Sequence, residues 1–116
     1  METTELVNRI IELSFEKKAH HVVKMDLRGL SDVADYFILM TGDSDVQVRT
    51  LAGHIEGELR DEGARVWKRE GLEQLNWVLL DYVEVVVHIF RPEIREYYDI
   101  ERLWADAEIT EVEDHA

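Results

Sequence analysis

The chain has 116 residues, enough for one hydrophobic core and too few for two, so a single domain is expected. It carries 26 acidic against 13 basic residues, a net charge of −13 spread along its length with extra density at both ends. Such a balance argues against gripping a nucleic-acid backbone, where affinity comes from Lys and Arg releasing counterions, and it suits a basic protein partner, although an acidic surface also serves solubility alone. No cysteine is present, which excludes disulfides, thiolate metal sites and cysteine nucleophiles. The start, Met1-Glu2-Thr3-Thr4-Glu5, is acidic where a targeting peptide would be basic. No apolar run reaches the roughly 18 residues of a bilayer span, so a cytoplasmic protein with no membrane association is expected.

Residues 4–18 place Leu6, Val7, Ile10, Ile11 and Leu13 at helical spacing, with Glu5 in the first turn and Lys17 and Lys18 at the end, in line with the helix dipole. Residues 22–27 are rich in β-branched side chains and read as a strand, followed by turn chemistry at Gly29, Ser31 and Asp32. Asp26 and Asp35 are expected to cap turns. The run 36–41 is continuously apolar, as in a central strand covered on both faces. Ser44 then caps a helix with Gln47 three residues on, and Val48, Leu51, Ala52, Ile55 and Leu59 form one core-facing stripe before Gly63 stops it. His54 and Arg49 lie off that stripe.

Residues 64–70 read as a strand parallel to 36–41 through a right-handed crossover. A loop at 71–76 leads to strands 77–81 and 83–90, separated by too little sequence for anything except a tight antiparallel turn. Pro92 suits the first turn of a helix, and 93–106 reads as two short helices broken around Asp99. Residues 108–116 are acidic and poor in large apolar groups, so a disordered tail is expected after a domain at 1–107. These elements predict an α/β domain with a single mixed five-stranded sheet flanked by helices.

Three blocks carry a family resemblance. They are Asn76 to Phe90, with Trp77, Asp81, Tyr82 and His88 among strand formers; Asp35 to Gly42 followed by Ser44 and Gln47; and Arg95, Tyr97, Tyr98, Asp99, Leu103 and Trp104. Over residues 3–107 the chain resembles the iojap-like ribosomal silencing factors. Trp77, Leu79, Asp81, Tyr82 and His88 match the family's signature positions, and Thr41, Gly42 and Ser44 match its turn. Two positions depart from it: Glu84 stands where the family usually has Asp, and Val83 replaces a small or turn-favouring residue. The resemblance implies a nucleotidyltransferase-like fold, a homodimer, and a translation regulator. Such a regulator binds the large ribosomal subunit through large-subunit ribosomal protein fourteen and blocks joining of the small subunit.

That implied fold raises an enzymatic alternative, which the residues oppose. An active nucleotidyltransferase holds phosphates on a Gly-Ser turn and metal on two carboxylates spaced i, i+2, which share a strand face. Here Asp43 separates Gly42 from Ser44 and adds negative charge, and Arg65-Val66-Trp67-Lys68-Arg69-Glu70 contains no i, i+2 carboxylate pair. Asp81 and Glu84 are three apart across a turn and do not form a two-metal clamp by spacing. His20 and His21 are adjacent and point apart. No catalytic residue, metal site or cofactor is therefore expected.

The aromatic set is the stronger signal: Trp67, Trp77, Tyr82, Tyr97, Tyr98 and Trp104 are many amphipathic groups for one small core. Tyr98 and Trp104 are expected under the sheet. Trp77, Leu79 and Asp81 share a strand face, which with Tyr82, His88 and a rim of Lys68 and Glu70 forms the expected partner-binding surface. His88 interrupts a run of valines and reads either as a core histidine or as a direct partner contact.

Overall fold

The computed structural model describes residues 1–114. Helix α1 (Thr3–Glu16) buries Leu6, Val7, Ile10 and Leu13, and Lys17 is its C-cap. Strand β1 (His20–Asp26) begins with a register shift between His20 and Val23, where His21 has φ 48°. Strand β2 (Tyr36–Thr41) is the expected continuously buried run. Ser44 accepts the Gln47 N–H at 3.1 Å and opens α2 (Asp45–Asp61), whose buried stripe is Val48, Leu51, Ala52, Ile55 and Leu59. Then come β3 (Lys68–Glu70), β4 (Trp77–Asp81) and β5 (Val85–Phe90). Pro92 starts α3 (Pro92–Tyr98), and Asp99, at φ 45°, separates it from α4 (Ile100–Leu103) before β6 (Glu108–Glu111).

The six strands form one sheet in the order β3-β4-β5-β2-β1-β6. This corrects the expectation of five strands: β6 pairs antiparallel with β1, Val23 facing Glu111 and Met25 facing Ile109. The first residues of the expected disordered tail are thus ordered, because an open edge of β1 offers them backbone hydrogen bonds that need no apolar side chains. Residues 115–116, the end of that tail, lie outside the described residues.

The expected strand 64–70 is also shorter than its sequence suggests. Only Lys68–Glu70 pairs, antiparallel to β4 at the far edge, so β3 runs in the same direction as β2 with β4 and β5 between them. The parallel neighbour of β2 is β5, Leu39 facing His88 and Thr41 facing Phe90.

Two cores result. On one face α1 and α2 close over Ile38, Met40, Val78, Leu80, Val85, Val87 and Ile89. On the other, Val23, Met25, Phe37, Leu39, Val86 and Phe90 meet Ile100 and Ala107, with Trp77, Leu79, Ile94 and Trp104 partly buried against them. The two short helices are tied to this face by Arg95. Its Nη1 donates to the His21 carbonyl and, at 2.9 Å, to Thr41 Oγ1, while its Nη2 meets Glu101 at 3.2 Å. A Cβ built at Gly71, where φ is 85°, would overlap the Trp77 carbonyl, so glycine lets the loop before β4 lie directly on that strand.

The β4–β5 turn shows what the departure at Val83 does. Asp81 Oδ1 accepts the Val83 N–H at 2.8 Å, and the Glu84 N–H donates back to the Tyr82 carbonyl at 3.0 Å around Val83, which has φ 74°. A β-branched residue in the left-handed region is strained, by about 1 kcal/mol or more. Because Val83 is exposed, its side chain offers little packing in return. Val83→Gly is expected to stabilise the domain by about 1 kcal/mol, read as a higher urea midpoint with unchanged slope; a lower midpoint would refute the strain.

Candidate docking face

Strand register assembles the second sheet face row by row. Glu70 faces Leu79, Leu79 faces His88, His88 faces Leu39, and Leu39 faces Val23. A second row runs from Lys68 through Asp81, Val86 and Phe37 to Met25. Trp77 lies beside Phe90 at the end of β4. The helices α3 and α4 cover the β1–β2 side of this face through Ile100 and Trp104 and leave the β4 side half open, with Trp77, Leu79 and Asp81 each partly exposed.

An aromatic cluster fills the boundary. The Trp77 ring stacks on Phe90 with centroids 5.0 Å apart and meets Tyr98 at 4.9 Å, and Tyr98 meets Tyr97 edge-on at 5.0 Å. The Trp77 Nε1–H donates to His88 Nδ1 at 3.2 Å. His88 is 5% exposed, and its ring lies 4.5 Å from Phe37 and 5.9 Å from Phe90. Acceptance at Nδ1 requires the neutral tautomer with its proton on Nε2. That Nε2 is buried with no hydrogen-bond partner. Burial pushes the imidazole from its ordinary 6.5 down to about 3.

The residues marked by the sequence therefore separate into three groups. Trp77, Leu79, Asp81, Lys68 and Glu70 share the open face, and Lys68 and Glu70 pair with each other at 3.2 Å. His88 lies beneath that face as a buried histidine orienting Trp77. Tyr82 belongs to the opposite core, where its hydroxyl is buried without a partner and burial beside Glu56 raises its pKa. Tyr98, expected under the sheet, is 50% exposed, because it packs against the partly exposed Trp77 ring at the open side and not beneath the sheet. Trp104 is partly buried against the core. Tyr97, 75% exposed, meets Tyr98 and extends the apolar border of the face, whereas Leu103, 73% exposed, lies with Leu30 and Trp104. Neither entered the expected surface, although Tyr97 stands in the aromatic set and both lie in the third family block.

The turn after β2 is filled by its own side chains. The Asp43 N–H donates to Gln47 Oε1 at 2.7 Å, and the Asp43 carboxylate meets His20 at 2.9 Å. Gln47 Nε2 donates to the Lys17 and Lys18 carbonyls, which docks the turn on the end of α1. A Cβ at Gly42 would press on the Val48 backbone, so this glycine serves close packing of β2 against α2. The Gly42, Asp43, Val46 and Gln47 N–H groups, which could otherwise face a phosphate, are already used within the chain.

His88 gives this site a pH signature. The unfolded chain protonates the imidazole near its ordinary 6.5 and the folded chain only near 3, so its contribution is complete above that upper value and is lost as pH falls. Between pH 7 and about pH 4.5 the wild type is expected to lose about 2–3 kcal/mol more stability than His88→Leu. Urea unfolding of both at the two pH values measures this; parallel losses would show that His88 does not titrate in the unfolded chain alone.

The whole chain, residues 1–116, matches the family model described as "Ribosomal silencing factor during starvation". A protein named ribosomal silencing factor RsfS from Halalkalibacterium halodurans is 37% identical over 113 residues, covering 97% of each chain. One of the same name from Bacillus subtilis is 40% identical over 98 residues, covering 84% of this chain and 83% of that one. A crystal structure of a protein from Chromobacterium violaceum superposes with a TM-score of 0.88 at 34% identity, covering 100% of this chain and 97% of the other. With its sequence blocks, its fold and these matches in agreement over nearly the full length, the chain belongs to the ribosomal silencing factor family.

Proposed function

We propose that this chain is a non-catalytic regulator of translation that binds the large ribosomal subunit through large-subunit ribosomal protein fourteen and blocks joining of the small subunit by steric exclusion. The observation that carries this reading is the half-open face of Trp77, Leu79, Tyr97 and Tyr98, rimmed by the exposed pair Lys68 and Glu70. Large aromatic groups held in place by neighbours supply contact area at low entropic cost, and a net charge of −13 favours a basic protein surface. Exclusion of a second subunit needs only affinity and bulk. The nucleotidyltransferase-like architecture implied by the resemblance then serves as a docking scaffold, and the self-filled Gly42–Ser44 turn supports a chain without enzymatic activity. A cytoplasmic location belongs to this reading, supported by the similarity to bacterial ribosomal silencing factors. No helix among the described residues is long and apolar enough to cross a membrane.

The same apolar border suits self-association of the free chain, so a homodimer belongs to this reading, with sedimentation velocity as its test. Purified protein is expected to co-sediment with the large subunit and not with the small one; co-sedimentation with neither would overturn the proposal. Tyr97→Ala, at an exposed position, is expected to weaken large-subunit binding by about 2 kcal/mol or more while leaving the unfolding free energy within about 0.5 kcal/mol. Trp77→Ala is expected to lower both binding and stability, because this ring stacks on Phe90 and satisfies His88 Nδ1 as well as facing solvent.

A further inference from the structure

The sheet edge at β3 carries a feature that the docking face does not use. Arg69 faces Leu80 in the register and points to the helix side, away from its neighbours Lys68 and Glu70. There it lines a pocket of about 210 Å³ with Arg60 from the last turn of α2, Arg65 and Val66 from the following loop, and Glu56. Three guanidinium groups against one carboxylate leave this pocket positively charged within a chain of net charge −13.

Arg49, Arg91 and Arg102 lack an ion pair among the described residues, so the pocket is set apart by three arginines lining one cavity and not by unpaired charge alone. Arg9, Arg28 and Arg95 are each matched to a carboxylate, with Glu62, Asp26 and Glu101. Arg69 uses one nitrogen, Nη1, on both Glu56 oxygens at 2.7 Å, which leaves its Nε and Nη2 donors unspent. The Arg60 and Arg65 side chains have no hydrogen bond or ion pair among the described residues, although acidic side chains outnumber basic ones twofold in the chain. Two carboxylates close in sequence are engaged elsewhere, Glu62 by Arg9 and Glu70 by Lys68 on the other side of the sheet. Planar guanidinium forks converging on one cavity match the tetrahedral oxygens of a phosphate group, which they bind by short charge-assisted hydrogen bonds.

We propose that Arg60, Arg65 and Arg69 form a phosphate-binding site, taking either a phosphodiester of an RNA backbone or the phosphates of a free oligophosphate. Net charge is a sum over the whole chain, whereas a phosphate at this edge meets the local surplus first, since more distant charges are screened within about 8 Å at physiological salt. The site lies around the β3 edge from the Lys68–Glu70 rim, so a ligand held there leaves the aromatic face free.

The test is an NMR titration that follows the arginine Nε–Hε and backbone signals of the full chain, with pyrophosphate, with a short single-stranded RNA, and with sodium chloride at matched ionic strength. Pyrophosphate is expected to give saturable shifts at Arg60, Arg65 and Arg69 that chloride does not. Arg60→Gln with Arg65→Gln, both exposed, should bind at least about tenfold more weakly with an otherwise unchanged spectrum. Shifts of the same signals by RNA assign the site to a backbone phosphodiester; a response to pyrophosphate alone assigns it to a free oligophosphate. No saturable shift with either, or shifts spread evenly over all arginines and matched by chloride, overturns the proposal.

Discussion

The parallel pair β2–β5 carries apolar side chains on both faces, so both faces must be removed from water before the domain is stable. On one side the solution is complete: two long amphipathic helices, α1 and α2, close over β2, β5 and the inner residues of β4. On the other side the cover is two short helices, held down by Arg95 across β1, β2 and α4. They reach as far as Phe37 and Phe90 and leave the β4 side half open. The candidate docking face is the part of a two-sided core that α3 and α4 leave half open.

That incomplete cover explains the placement of His88. A histidine in a valine run is costly when buried, and here one nitrogen is satisfied by Trp77 while the other has no partner. The return is orientation: Trp77 is fixed from below by a hydrogen bond and from the side by Phe90 and Tyr98, so its partly exposed edge is held in one position. An aromatic group fixed in advance loses less entropy on binding than a free one. Stability and the proposed recognition therefore draw on the same cluster, which is why Trp77 is a poor single probe of binding and the outer Tyr97 is a better one.

The charge of the chain acts at two scales. Summed over all residues it is strongly negative and steers the domain toward basic surfaces. At the β3 edge, three arginines on the end of α2, the following loop and one inward strand position reverse its sign locally. The alternation of β3 separates Lys68 and Glu70 from Arg69, giving the two sides of one short strand different electrostatic character.

Local signals settled much of this architecture. The apolar stripe of α2, its Ser44 and Gln47 cap, the continuous run of β2, the tight turn into β5 and the break at Asp99 are visible in the sequence because each depends on neighbours within a few residues. Beyond that range the sequence was silent or misleading. Residues Glu108–Glu111 read as a tail since nothing in their side chains calls for a strand, and they are one only because β1 offers a free edge. Tyr82 and His88 belong to the same signature run as Trp77, yet one faces the opposite core and the other lies beneath the open face. The sequence by itself determined the elements, the charge and the aromatic content. Only the tertiary structure decided which aromatics remain exposed and which arginines converge, because strand order and register are fixed by contacts between residues far apart in the chain.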